Sequence, residues 1–211
     1  MVGMTRAQLD PKQLGGPAVY KIMIGAIVPR PIAWVSTISV EGVTNVAPFS
    51  FFNGVASNPP SLMFSITRKS DGGKKDSLRN IEATGEFVVN IAHEASARPL
   101  HETSAEYPYG VSEFTRVGLT ALPSRQVRAP GVAEAPIQLE CRLHQKLEIG
   151  AGGPGSATII VGEIIHIQAS TDVYANGKIA IEKLRPIARL AGRSYTKLGE
   201  VFEQPAPEIK T

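Results

Sequence analysis

Residues 29–53, PRPIAWVSTISVEGVTNVAPFSFFN, leave this chain few ways to fold. Residues 32–39 carry the β-branched and aromatic content of a strand, and Glu41-Gly42 supplies a turn. Thr44-Asn45-Val46-Ala47 returns antiparallel to that strand. Pro48 has no N–H to donate, so it is expected to stop the ladder and leave irregular backbone from Pro48 to Asn53. That backbone would lie beside the Trp34-Val35-Ser36-Thr37 strand. Free N–H groups, the hydroxyls of Ser36, Thr37 and Ser50, the Asn53 amide and flat apolar walls would then meet in one place. Such a place suits a planar ligand with polar edges and a phosphate.

The rest of the chain reads as strands with few helices. Residues 18–23 fit a short helix or a strand, and Asn58-Pro59-Pro60 is a turn before a strand at 61–66. Asp76 and Ser77 are placed to cap a helix over 78–84, which Gly85 ends. A strand follows at 86–91, then a helical stretch through 94–105 that contains Pro99. Residues 108–136 are dense in proline and glycine, and a loop this long usually serves a function or covers something, here a lid over the site. Residues 137–144 alternate apolar and polar, which predicts one buried and one wet face. Residues 157–168 form another strand, in which Gly162 suggests a bulge or tight corner. Asn176-Gly177 is the strongest hairpin signal in the chain. About six strands and two or three helices imply an antiparallel sheet, and closing it into a barrel removes exposed edges. The expected organisation is an arm at 1–13, one domain at 14–203 and a tail at 204–211.

Several functions are set aside on composition and motif. The net charge of +3 comes from scattered lysines and arginines, which argues against nucleic acid. No apolar run reaches the roughly 18–20 residues of a membrane span, and the start lacks a signal-peptide core, so the chain reads as cytoplasmic. One cysteine, Cys141, excludes an internal disulfide framework, and the four histidines never take a metal-binding spacing. There is no G-x-S-x-G elbow, and Gly150–Gly155 lacks the strand–GxGxxG–helix context.

Two places carry candidate chemistry. The helix starting near Ser77 follows Lys74-Lys75 and is linked by a loop to Arg68, a setting that suits an anion. A capped surface helix with solvated lysines is the plainer reading of those residues. Trp34, Val35 and Phe49 fit a ligand wall or a core equally well.

The motifs PRPIAWVST, N-V-APFSFFN, K-D-S-L-R-N-I and E-F-V-V-N together resemble the flavin reductase-like, FMN-binding split-barrel family, over about residues 20–202. The resemblance implies a mainly β fold with a few helices: an antiparallel, Greek-key-like split β-barrel that is dimeric, with FMN (or FAD) near the subunit interface. It implies that Lys75-Asp76-Ser77, where the family usually has threonine last, helps hold FMN together with Arg68. It assigns Trp34, Val35, Ser36, Thr37, Ala47, Pro48, Phe49 and Ser50 to the flavin ring and Asn53 to the ribityl-phosphate side. Arg189 and Tyr195 would approach the flavin or its nucleotide partner, although Ala191 stands where the family tends to have glycine. The implied activity is NAD(P)H:flavin reductase, with hydride passing to flavin N5, no catalytic side chain, no metal, and a partner monooxygenase or other acceptor. Many members carry a G-D-H step where this chain has Gly155-Ser156-Ala157-Thr158. That departure leaves a flavin-binding storage or electron-carrier protein without NAD(P)H turnover as the alternative.

Overall fold

The computed structural model describes residues 5–207. The chain begins with two helices, α1 (Pro11–Leu14) and α2 (Gly16–Ala26), followed by strands β1 (Ala33–Ile38), β2 (Thr44–Phe49), β3 (Phe52–Ser57) and β4 (Pro60–Thr67). Helix α3 (Asp76–Thr84) leads into β5 (Glu86–Ile91), and α4 (Ala97–Glu102) and α5 (Glu113–Val117) follow. Next come β6 (Ala121–Leu122), β7 (Gly131–Val132) and the two long strands β8 (Ile137–Ile149) and β9 (Ala157–Ala169). The chain ends through β10 (Tyr174–Ala175), β11 (Lys178–Ile179), α6 (Ile181–Leu184), β12 (Ile187–Arg189) and β13 (Tyr195–Lys197).

Seven strands form one sheet in the order β2-β1-β5-β8-β9-β4-β3, antiparallel at every step. The two end strands, β2 and β3, are consecutive in the chain and joined only by Ser50 and Phe51. A link of two residues reaches about 10 Å at most, even counting both flanking bonds. The sheet therefore has to roll up until its ends meet, which gives a barrel open at one seam. Its interior holds Val35, Phe49, Phe64, Phe87 and Ile160, closed on one side by Leu78 and Ile81 of α3. Phe64 contacts Phe49 and Phe87 at centroid distances of 5.5 and 5.4 Å.

Residues 92–135 pack on the opposite face of β1 and β2, where Trp34 and Val46 meet Leu100, Phe114 and Val132. The long segment expected to be an irregular lid therefore contains α5, β6 and β7 and covers the outer face of the barrel. With both faces covered and partners on both edges, β1 is buried from Ala33 to Thr37.

Several sequence expectations need correction. Pro48 does not stop the ladder: β2 runs through it to Phe49, with Pro48 opposite Trp34. The Val46 amide donates outward to Glu113, so Val46 is not bonded into the β1 ladder. In an antiparallel pair this alternates, so Pro48 also falls on the outward side, where a missing N–H disrupts nothing. Irregular backbone shrinks to Ser50 and Phe51, because β3 starts at Phe52. Of the two forms open to residues 18–23 the structure takes the helix, α2, while residues 11–13 of the expected arm are helical, within α1. The polar face of β8 is wet only in part: Arg142 and His144 are exposed as expected, whereas Gln138 and Glu140 are buried. Glu140 accepts hydrogen bonds from the amides of Arg125 and Gln126 and from Gln168. Burial alone would raise its pKa, but those donors bring it below the ordinary carboxylate value.

Other expectations match the structure. Asn176 and Gly177 both have positive φ and turn β10 into β11. Gly85 ends α3 in the left-handed conformation. Cys141 is buried in the barrel core, which raises its thiol pKa.

Gly162 faces a register shift in β8 between Leu143 and Gln145. A Cβ there would sit 2.3 Å from Cζ of the fully buried Phe87. Gly162→Ala should therefore destabilise the fold by about 1–3 kcal/mol through overpacking. Adding Phe87→Leu should recover part of that loss, as read from urea unfolding midpoints. Equal midpoints for wild type and Gly162→Ala would show that the corner has slack.

Candidate functional site

The seam between β2 and β3 opens into a cavity of about 260 Å³. It is lined by Pro48, Phe49, Ser50 and Phe51 of the seam, Ser65 and Thr67 of β4, and Tyr20 and Ile24 of α2. Arg30, Lys75, Ser104, Arg189 and Tyr195 also line it. A second cavity of about 80 Å³ shares Pro48, Phe49, Lys75 and Ser104 with the first. It adds Asn45, Ala47, Lys69, Asp76, Ser77 and Glu113.

Arg30 fixes the larger cavity. Its guanidinium donates to the carbonyls of Ile24 (2.8 Å) and Ile27 (2.7 Å) at the end of α2 and to Leu190 (2.9 Å) after β12. Nε donates to Ser50 Oγ at 3.3 Å, and the same group lies 5.7 Å from the Phe51 ring centroid. The backbones of Arg30 and Arg189 exchange two hydrogen bonds, 3.0 and 2.8 Å, which brings the C-terminal segment to the seam. Arg189 then stacks on Tyr195 at 4.6 Å and donates to its hydroxyl. Composition did not single out Arg30. The available signal was its place between Pro29 and Pro31, where both neighbours have restricted backbones.

The smaller cavity is built at the start of α3. Lys75 is the N-cap residue, and Asp76 and Ser77 lie in the first turn instead of capping it. No side chain caps this end. Asp76 pairs with Lys69 at 3.3 Å, and Ser77 Oγ accepts from Asn45 at 2.9 Å. First-turn amides that no side chain occupies, with Lys75 beside them, form a setting for an anion.

The expected site residues divide accordingly. Ala47, Pro48, Phe49, Ser50, Lys75, Asp76, Ser77, Arg189 and Tyr195 come together around the two cavities. Trp34, Val35, Ser36 and Thr37 do not line them, and their side chains are fully buried. Trp34 Nε1 donates to Thr103, Val35 packs in the barrel, and Ser36 donates to the Pro130 carbonyl. Thr37 accepts from Asn80. Because β1 is paired on both edges, its backbone offers no free row of donors either. Asn53 is exposed on β3 opposite Met63, and Arg68 pairs with Glu148 at the end of β8. Neither lines these two cavities. Among the residues that sequence reading missed are Arg30, Tyr20, Ile24, Phe51, Ser65, Thr67, Ser104, Lys69 and Glu113.

The chemistry of this set fits a flavin. Pro48, Phe49 and Phe51 offer flat apolar contact, and Ser50, Ser65, Thr67 and Ser104 offer hydroxyls. Lys75 at the helix start supplies positive charge at the junction of the two cavities.

Comparison with known proteins agrees with that fit. Residues 24–183 match the model of the flavin reductase like domain. An uncharacterised protein of Halalkalibacterium halodurans is 41% identical over 203 residues, covering 96% of this chain and 97% of that protein. The crystal structure of nitrilotriacetate monooxygenase component B from Bacillus cereus superposes with a TM-score of 0.91 at 38% identity, covering 96% and 100% of the two chains. That of the 2-nitrobenzoate 2-nitroreductase NbaA from Pseudomonas fluorescens gives 0.86 at 26% identity, covering 95% and 96%.

The chain belongs to the flavin reductase-like family.

In this flavin reductase-like protein the fold is the family's split barrel, and the chemistry is that of a flavin-related oxidoreductase. No helix among the described residues is long and apolar enough to cross a membrane. One acidic side chain in the site stands out. Glu113 is buried, and its carboxyl accepts the Val46 amide hydrogen at 3.0 Å. Burial dominates and raises its pKa to about 7, against the lowering effect of that hydrogen bond. A carboxyl raised in the folded state stabilises most below its ordinary value of 4.5, and that contribution fades as pH climbs through about 7. Denaturant unfolding should therefore show a loss of up to about 3 kcal/mol across this window. Glu113→Gln keeps an acceptor for Val46 and should flatten the decline. An unchanged slope in that variant would assign the titration to another group.

Proposed function

We propose that this protein is an FMN-binding NAD(P)H:flavin reductase that passes reduced flavin or electrons to a partner. The observation that carries this reading is the pairing of a flat-walled seam cavity with a positively charged helix start at its end. When bound, the flavin supplies hydride acceptance at N5 and onward electron transfer. The protein's own work is then to bind, orient and shield. Pro48, Phe49 and Phe51 hold a planar ring by contact and exclude water, while Ser50, held by Arg30, presents a fixed hydroxyl. Lys75 and the uncapped first turn of α3 take the phosphate. Arg30 and Arg189 place positive charge along the cavity, which favours a reduced, anionic ring. No side chain needs to move a proton for hydride transfer, so positioning of two rings is the main requirement.

A monooxygenase partner is proposed from the likeness to nitrilotriacetate monooxygenase component B. A homodimer is proposed because α2 buries none of its residues, although Tyr20, Ile22 and Met23 are large and apolar. Tyr20 and Ile24 reach the cavity from that helix, so a second copy seated on α2 would also wall the flavin. Light scattering should return twice the chain mass.

An absorbance spectrum before and after anaerobic NADH or NADPH tests the activity. Flavin bands that bleach with nicotinamide support the reductase. Bands that bleach only with dithionite favour an electron carrier or storage protein, the reading suggested by Gly155-Ser156-Ala157-Thr158 in place of the histidine-bearing step. Lys75→Glu should weaken FMN by about tenfold or more while sparing riboflavin, which has no phosphate. Equal weakening of both flavins would place the phosphate elsewhere.

A further inference from the structure

The smaller cavity contains a charge arrangement that ligand holding alone does not require. Its charged side chains are Lys69 before α3, Lys75 and Asp76 at the start of α3, Glu106 after α4, and Glu113 on α5; Tyr107 also lines it. Arg116 lies one turn along α5 from Glu113. Lys69 and Asp76 pair at 3.3 Å and largely cancel. Glu106 lies on an exposed loop, where solvent screens it. Beside the dominant effect of burial, Asp76 and Lys69 act on Glu113 in opposite senses, the first raising and the second lowering its pKa. That leaves Lys75 and Glu113 as the lining charges that, among the described residues, are neither ion-paired nor on an exposed loop.

These two side chains differ in their setting. Lys75 lines both cavities and stands at the uncapped start of α3. Of the two cavities Glu113 lines only the smaller; it is 4% exposed and, among the described residues, has no cation within ion-pair distance. Its one hydrogen-bond donor from another element is the Val46 amide, which a neutral carboxyl or an amide oxygen can satisfy as well. A buried carboxyl beside a bound phosphate cannot readily stay ionised, because two anions would share a space that excludes water.

We propose that Glu113 makes phosphate binding proton-coupled: the phosphate-bearing flavin enters with uptake of one proton from solvent onto the Glu113 carboxylate. The inference rests on the flavin site proposed above, with the phosphate at Lys75. With Glu113 neutral, Lys75 and the helix start attract the phosphate unopposed. With Glu113 ionised, its negative charge offsets Lys75, and the site discriminates against phosphate. Glu113 thus adjusts selectivity for the phosphorylated over the unphosphorylated flavin according to pH. Its raised pKa of about 7 places the transition near neutrality.

The test is fluorescence titration of FMN and of riboflavin against the full chain between pH 6 and 8.5, in wild type and Glu113→Gln. Calorimetry in two buffers of different ionisation enthalpy counts protons at the midpoint of the range. In wild type, FMN affinity should fall by about tenfold across the range, riboflavin affinity should not follow it, and FMN binding should take up protons. In Glu113→Gln the fall and the uptake should both disappear. Free FMN gains negative charge in this range because its phosphate titrates near pH 6, so without Glu113 its affinity should hold or rise. FMN binding with the same slope and uptake in both proteins would overturn the coupling and leave the flavin site standing. Should riboflavin show the same slope as FMN, Glu113 acts on the fold and the proposal fails. If neither flavin binds at any pH, the site reading falls and the coupling falls with it. Near-ultraviolet circular dichroism of Glu113→Gln confirms that the variant being compared is folded.

Discussion

Ser50 and Phe51 alone must connect two strands that stand at opposite ends of a seven-strand order. Everything about the site follows from that short link. A flat or gently twisted sheet of seven strands would separate its end strands by about 29 Å, at nearly 5 Å per step. Two residues do not span that distance, so the sheet curls and its ends converge without pairing as a ladder. The result is a gap whose walls are main chain and the first side chains on either side. Pro48, Phe49, Ser50 and Phe51 are therefore cavity residues by topology, before any ligand is considered.

A seam held by two residues needs support, and Arg30 provides it. One buried guanidinium joins the end of α2, the segment after β12 and the Ser50 hydroxyl. Burial lowers its pKa from the ordinary guanidinium value, yet arginine stays charged throughout any accessible pH. The carbonyls satisfy its donors without neutralising it. The cavity consequently keeps a fixed positive charge that costs no ion-pair partner, and a flavin ring that becomes more negative on reduction benefits from that charge.

The sequence made the barrel and the location of its seam legible because both depend on local signals. APFSFF, the Asn176-Gly177 turn, the Gly85 helix end and the strand compositions each act over a few residues. Long-range facts were not legible. Nothing local shows that β1 is paired on both sides, so Trp34, Val35, Ser36 and Thr37 looked available when they are sealed in the structure. Alternation along β8 suggested a wet polar face, but the amides of Arg125 and Gln126 come from a distant loop to bury Glu140. Pro48 was misread for the same reason. Whether a proline breaks a strand depends on which side its missing N–H faces, and that is decided by the neighbour strand. Glu113 sits in a stretch that reads as loop, and only folding brings it against Val46.

That last contact links the edge of the sheet to the chemistry of the cavity. An edge strand carries outward amides that need partners when covered, and Val46 has one such amide. A glutamine, an asparagine or a backbone carbonyl would satisfy it at no electrostatic cost. A glutamate does the same while adding an ionisable group in a place with little water, where the charged form is disfavoured. The residue therefore carries a stability cost at neutral pH that its structural role does not explain. A buried carboxyl with a neutral, equally good substitute available makes physical sense where its charge is used. In this cavity the cation that lacks an ion-pair partner among the described residues is Lys75, at the helix start best suited to receive an anion.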